Sequence, residues 1–546
     1  MKRIITKLGL LVLSLISTTL FAQSVLTVSS DADSGVGSLR QIILDSESGD
    51  SIVIPSGYTI LLNSEIAFDK SLKINGQGST VQVSSPGVST YRVFTIGTST
   101  STSNSVGLYN LSLLGGNVSS NTGTVNQQGG TMYVYANYAI TMKNCVVSKG
   151  KGTYVGGLIM ASATGSSVTL DNCTFTDLEA TTSNGGACIL KGTTVVNNCV
   201  FTNNTATAGN GSAIAAYSQS TIKDCTFKNN IAKGTTGSAV INYAAATGTV
   251  DLINCTFDSN LHINGTNGVG GFAIPNSVAV STLTNCTFYG NSGQTTGAVW
   301  NNQGTLTIVN CTFSGNTSNT VNGGGFHSTS NANCKTTIVN SILTHNYNSS
   351  STLMDLSMGT LGTVDGTKNI VGAVTGSPTY TNSVTFSYSP ASDLFASYTT
   401  TGTLMPVLSD NGGVTKTIGL SNTGIANGTG ISTYGTTNIV PATDHRGVTR
   451  ASTPWIGAFE YKVSTEIESQ KTKNSIFIFP NPVSNYLIIE TSNTVLAVQI
   501  NDLSGKNVLK INNPTNTINL SDVTRGIYFI KVITSDGEFL NKLIIK

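Results

Sequence analysis

One short phrase is written repeatedly through the middle of the chain, and its spacing leaves few folds open. Asn172-Cys173-Thr174-Phe175 returns as Asn198-Cys199-Val200-Phe201, Asp224-Cys225-Thr226-Phe227, Asn254-Cys255-Thr256-Phe257, Asn285-Cys286-Thr287-Phe288 and Asn310-Cys311-Thr312-Phe313. A shorter copy stands at Asn144-Cys145 and a degenerate one at Asn340-Ser341-Ile342-Leu343. Successive cysteines are 28, 26, 26, 30, 31 and 25 residues apart, a drift that loop insertions produce. Asn recurs three residues after the Phe, at Asn204, Asn230, Asn260, Asn291 and Asn316. A second phrase lies between, as Gly185-Gly186-Ala187, Gly211-Ser212-Ala213, Gly237-Ser238-Ala239 and Gly324-Gly325-Phe326.

Within each unit small apolar and polar residues alternate with period two, and Val, Ile and Thr are abundant, which is the pattern of strands. Helical periodicity is absent from this stretch. A unit of 25–31 residues with two or three short strands cannot bury its own apolar face. It must stack on its neighbours, as one coil of a β-solenoid does. Equivalent residues then form columns with a spacing of about 4.8 Å.

The columns decide how the cysteines are read. Nine cysteines in an exported chain suggest disulfides. Seven share one repeat position, however, and stacked Cβ atoms about 4.8 Å apart exceed the roughly 3.5–4.5 Å that a disulfide spans. They are expected to be small buried hydrophobes, with Cys188 and Cys334 off the column. No CxxC pair or His-rich cluster accompanies them, so no metal site is expected. Stacked Asn amides in a turn can hydrogen-bond to each other and to the backbone, and Asn tolerates the left-handed conformation of a sharp corner.

With 58 Gly, 11 Pro and 10% charged residues among 546, the chain is neither collagen, coiled coil nor charged disorder. Residues 1–22 have a basic start, an apolar run from Leu8 to Ile16 and a small residue at Ala22, the pattern of a secretory signal peptide. Lys2, Arg3 and Lys7 leave with it, so 25 basic face 26 acidic residues in the mature chain. A nucleic-acid partner is not expected of that balance. No other stretch approaches 18 uninterrupted apolar residues, so no transmembrane segment is expected in the mature chain.

The repeats over residues 106–346 resemble right-handed parallel β-helix proteins of the pectate-lyase-like superfamily, and the Gly-Gly-Ala and Phe-x-x-Asn pair is similar to the repeat of polymorphic outer-membrane proteins. Upstream, residues 33–43 are similar to the N-terminal cap of exported β-helices. There Ser38 and Gln41 suggest a capping box and Leu39, Ile42 and Ile43 an apolar face, so a short helix is expected to plug the open end. Downstream, Asp410-Asn411-Gly412-Gly413, Asp444-His445-Arg446-Gly447, Arg450 and Ile456-Gly457-Ala458-Phe459-Glu460 resemble a closing segment of such proteins, in which an Asp-Arg pair fixes the end.

Beyond residues 462–474, read as a linker, composition changes to alternating strands. Phe479-Pro480-Asn481-Pro482, the turn Asp502-Leu503-Ser504-Gly505-Lys506, Gly526-Ile527-Tyr528-Phe529 and the terminal Lys542-Leu543-Ile544-Ile545-Lys546 resemble the type A sorting domain of the type IX secretion system. That resemblance implies a small β-sandwich over 475–546, a Gram-negative host of the Bacteroidota, contact with the secretion machinery, and a final place outside the cell or on the outer-membrane surface. The chain thus divides into a leader (1–22), an N-terminal cap and first coils (23–105), repeats (106–346), final coils with a closing segment (347–461), a linker, and the sandwich.

Chemistry is sparse. No Arg occurs between Arg92 and Arg446, and the repeats hold six acids, Asp171, Asp177, Glu179, Asp224, Asp251 and Asp258. The superfamily's lyases use Arg or Lys as base with calcium held by acids, and its hydrolases use paired Asp; the hydrolase motifs Asn-Thr-Asp, Asp-Asp and Gly-His-Gly do not occur here. His262, His327, His345 and His445 are scattered and each is expected to be solvated, with His345 on a turn. No catalytic residue or cofactor is assigned, and calcium enters only under a lyase reading. In that reading Asp171, Asp177 and Glu179 form the acidic groove.

Four residues after the Ala of successive units stand Lys191, Tyr217 and Tyr243, each 26 residues from the next. Facing outward, this column is an aromatic strip beside a cation, suited to sugar rings; facing inward, it is core. Trp300 stands two positions earlier in its unit and shares that face either way. The expected function is a non-catalytic adhesive or glycan-contacting surface module, with a polysaccharide lyase or glycosidase and a purely structural stalk as rivals.

Overall fold

The computed structural model describes residues 23–461 and 476–546, apart from 124, 161–164, 245–247, 265–266, 276–278, 377–378, 381–385, 388–393, 400–404, 437, 480, 492 and 535–536. The leader and the linker therefore lie outside the described residues. Residues 23–461 and 476–546 fall in two separate compact units.

The first unit is a right-handed parallel β-solenoid. One coil shows the pattern: Cys188–Leu190, Thr193–Asn197, Val200–Thr202, Thr205–Ala206, then Ile214–Ala216 one coil higher. The equivalent strands stack in parallel register into sheets of 12, 14, 13 and 7 strands. They are called here the Gly-Ala sheet, the long sheet, the Phe sheet and the short sheet. The short sheet is an element that the expectation of two or three strands per coil did not include.

Side-chain columns fill the interior. Phe175, Phe201, Phe227, Phe257, Phe288 and Phe313 stack with ring centroids 4.6–5.1 Å apart. The strand spacing is thereby matched to aromatic stacking distance. All nine cysteines are buried free thiols. Cys199 donates its S–H to Asn197 O at 3.1 Å and accepts from the amide of Cys173 at 3.4 Å, so sulfur substitutes for a backbone partner at the corner.

The expected Asn column resolves into two with separate work. The residue before each Cys of the column, and Asn340 before Ser341 in the degenerate copy, takes the left-handed conformation, with φ between 50° and 55° at Asn144, Asn172, Asn198, Asp224, Asn254, Asn285, Asn310 and Asn340. It turns the chain from the long sheet into the Phe sheet. The Asn after each Phe is fully buried instead. Asn204, Asn230, Asn260, Asn291, Asn316 and Asn346 each donate their side-chain amide to the next residue of the column at 2.8–3.0 Å, ending on the Asp355 carboxylate.

Near the N-terminus, helix Leu39–Asp45 buries Leu39 and Ile43 in the solenoid core. Its capping box is only half made. Ser38 Oγ accepts from Gln41 N at 3.2 Å, but the Ser38 amide is already committed to Gly35 O, and the Gln41 side chain donates to Asp45 at 2.8 Å.

Phe386–Ser387 is the last strand of the solenoid sheets, and a short antiparallel pair, Leu408–Ser409 with Thr417–Ile418, follows it in the returning segment. The described part of residues 394–461 lies along the outer face of the Phe sheet. Thr256 Oγ1 donates to Lys416 O at 2.6 Å, Thr312 Oγ1 accepts from Ala458 N at 3.0 Å, and Asn340 exchanges two hydrogen bonds with Ile431. Thr256, Thr287 and Thr312 are buried beneath it, whereas Val200 on an earlier coil of the same face is 38% exposed.

The second unit pairs an antiparallel three-stranded sheet (Phe477–Phe479, Tyr486–Glu490, Thr517–Asn519) with a four-stranded one (Val495–Asn501, Asn507–Asn512, Gly526–Thr534, Gly537–Ile545). Leu487 and Ile489 from the first share a core with Val498, Ile530 and Leu543 from the second, a small sandwich.

Candidate functional site

Lys191, Tyr217 and Tyr243 follow strands of the Gly-Ala sheet. In Ile214–Ala216 the flanking Ile214 and Ala216 belong to the solenoid core, while Ala215 belongs to a second apolar cluster outside the sheet, bordered by Tyr217 and Tyr243. The column therefore faces outward. Trp300 is on the same side, as expected, but is 3% exposed, with no partner for Nε1 among the described residues.

Loops preceding each strand lean over this face. Gly185 (φ +79°) and Gly211 (φ +72°) come so close to Ile189 and Ile241 that a Cβ would stand 2.7 and 2.8 Å from those side chains. A side chain at either position would clash and strain the backbone, which is the physical reason for glycine at Gly185 and Gly211. The same loops hold the tyrosines: Asn184 and Asn210 donate to the hydroxyls of Tyr217 and Tyr243 at 2.8 and 2.7 Å. The two rings stack on each other at 5.3 Å, and Lys191 Nζ lies 5.7 Å from the Tyr217 centroid. Burial lowers the Lys191 pKa and raises that of Tyr243. The row thus offers ring edges and engaged hydroxyls to solvent, with its ring faces turned along the solenoid axis.

The acids of the proposed groove are dispersed, Asp171 on the long sheet, Asp177 in the turn after a Phe-sheet strand and Glu179 on the short sheet, each above a lysine of the preceding coil. Asp171 pairs with Lys143 at 2.9 Å, Asp177 with Lys149 at 3.3 Å and Glu179 with Lys151 at 2.9 Å. Lys143 and Asp171 are register partners in the long sheet, and Lys151 and Glu179 in the short sheet. Among the described residues no group of three or more His, Cys, Asp or Glu is gathered as a metal site would be.

The histidines are not solvated as expected. His262 and His445 are 0% and 3% exposed, and His327 and His345 are half-buried. Loops and the returning segment cover positions that alternation alone assigns to solvent. His345 does occupy a turn, with φ 59°. Burial pushes the imidazoles of His327 and His445 down to about 4.

The Asp444, His445 and Arg446 group is a local brace. Arg446 donates twice to Asp444 Oδ2, at 2.8 and 2.9 Å, and its guanidinium carbon lies 3.7 Å from the Phe459 centroid. Arg450 pairs with Glu460 at 3.1 Å and reaches Asn285 of the solenoid at 2.8 Å. These contacts fasten the returning segment to the flank of the Phe sheet.

Where that segment stops, a cleft of about 280 Å³ opens between Thr226, Lys228, Thr256 and Asp258 of the Phe sheet and Leu408, Asp410, Gly413, Val414, Thr415 and Lys416. Its two sides are far apart in sequence, and none of these residues was a sequence-based binding candidate. No local motif signals them.

Residues 477–546 match the secretion system C-terminal sorting domain family. That tail is a type IX sorting signal, so the protein is exported, to the medium or to the cell surface. A solved structure, the crystal structure of pectate lyase Pel9A, is similar at 17% identity and a TM-score of 0.41, covering 81% of this chain and 98% of that one. No curated protein matches the sequence. No helix among the described residues is long and apolar enough to cross a membrane.

Proposed function

We propose that the exported solenoid is a non-catalytic adhesive or glycan-contacting module of the cell exterior. The observation that carries this reading is the outward row of Lys191, Tyr217 and Tyr243, repeated once per coil and held by the Asn184 and Asn210 side chains. Prepositioned amphipathic side chains contact a polymer with little further loss of freedom. The candidate acids support the same reading, since each is paired with a stacked lysine.

The test is retention of neutral and uronic-acid polysaccharides by the full exported protein, with and without calcium, while unsaturated product and reducing ends are recorded. Retention without turnover, weakened in Tyr217→Ala and Tyr243→Ala, is expected. Product formation would establish the lyase or glycosidase instead, and neither retention nor product would leave a structural stalk.

A further inference from the structure

We infer that the cleft under residues 408–416 receives the neutral, hydroxyl-rich end of a glycan. This inference rests on the glycan-contacting reading and gives it a second location, on the opposite flank from the tyrosine row in the coil order.

The cleft lies on a boundary. Thr226 and Lys228 belong to a coil whose outer face is open, and their register partners Thr256 and Asp258 belong to the first covered coil. A chain lying along the open face over Thr174, Val200 and Thr226 meets the returning segment here and must end or turn. The roof is prepared for contact. Val414 is held out at 61% exposure beside Leu408. Its loop is braced from behind: Asn411 donates to Thr417 O at 2.9 Å, Arg446 donates to Asn411 O at 3.1 Å, and Thr415 Oγ1 contacts His445 Nε2. A loop fixed before binding loses little freedom on binding.

The lining also states the ligand's charge. Lys228 and Lys416 face Asp258 and Asp410, so the cleft carries no net formal charge, and Lys228 and Asp258 already neutralise each other at 3.1 Å. A polyanion gains nothing from such a lining. A neutral sugar does, because each hydroxyl both donates and accepts: carboxylates take its protons, ammonium groups and the Thr226 hydroxyl meet its oxygens, and Leu408 and Val414 cover its C–H face.

The experiment titrates the full-length protein with cello-, xylo-, manno- and maltotriose, and with a galacturonate trimer as the charged control. Binding of at least one neutral triose is expected, weakened about tenfold or more in Asp410→Ala and Lys416→Ala, as loss of a hydrogen bond to a charged group implies. Val414→Asp is expected to weaken it as well. All three residues are surface positions, and an unchanged thermal midpoint confirms that each variant folds. Neutral triose binding that ignores all three substitutions, or binding of galacturonate alone, would overturn the cleft. Polysaccharide retention that depends on Tyr217 and Tyr243 while no triose binds would overturn the cleft and leave the proposed function standing. No binding of any saccharide would overturn both.

Discussion

The buried side-chain amide of Asn346 donates to Asp355 Oδ1 at 2.8 Å, and there the internal Asn column ends in a carboxylate. Asp355 Oδ1 also accepts from Asn346 N, and Oδ2 from Ala373 N, both at 2.8 Å. Burial outweighs these three donors and pushes the Asp355 pKa up to about 7. Tyr347 is the neighbouring titratable group, and the Asp355 charge raises its pKa further.

Asp355 therefore has a folded pKa above its unfolded one. Its contribution to stability is full below about 4 and is lost as pH rises toward about 7, a swing of about 4 kcal/mol at most. His445 behaves oppositely. Its buried ring titrates near 4, so its contribution is present above about 6.5 and is lost as pH falls to about 4. Thermal midpoints between pH 4 and 8 should separate the two: Asp355→Asn steepens the rise of stability with pH, and His445→Asn flattens it. Parallel profiles in all three proteins would refute both assignments.

The cysteine column should be chemically silent. Burial raises the thiol pKa at Cys188, Cys225, Cys255 and Cys286, and all nine cysteines are buried. A thiol reagent such as Ellman's is expected to titrate none rapidly in the native protein and nine after denaturation. Rapid reaction of one or more native thiols would contradict the packing described.

Removing one ring from the Phe column should leave a cavity that its neighbours cannot close. Phe257 is fully buried between Phe227 and Phe288, at 4.7 and 4.6 Å. Phe257→Ala is expected to destabilise the solenoid by about 3–5 kcal/mol in urea unfolding, and Phe257→Leu by distinctly less. A loss below about 1 kcal/mol for the alanine variant would mean the column is not a principal support.

The sorting tail forms its own compact unit with its own core. Deletion of residues 477–546 is expected to abolish appearance of the protein outside the cell, while the retained solenoid keeps its cooperative thermal transition. Undiminished export of the truncated chain would show that the tail is not its address.

The solenoid was legible because stacking turns a sequence period into a spatial column: Phe201 and Phe227 are 26 residues apart and become neighbours in register. The left-handed corners were legible in kind, since the side chain that tolerates them is written at each one. The half-made capping box was not, because Gly35 O, supplied by the preceding turn, takes the Ser38 amide. Nor was the burial of His262 and His445, which depends on chain packed against them from other coils or from the returning segment.

By itself, then, the sequence determined the repeating coil, the parallel stack, the two Asn positions and the export tail, since each rests on local chemistry repeated at fixed spacing or on a contiguous motif. Only the tertiary structure decided that the Tyr217 and Tyr243 column faces outward under loops, that each candidate acid lies over a lysine, and that residues 408–416 close a cleft on Thr226 and Asp258. The physical reason is that a period of two places alternate side chains on opposite sides of a strand without saying which side another segment will cover.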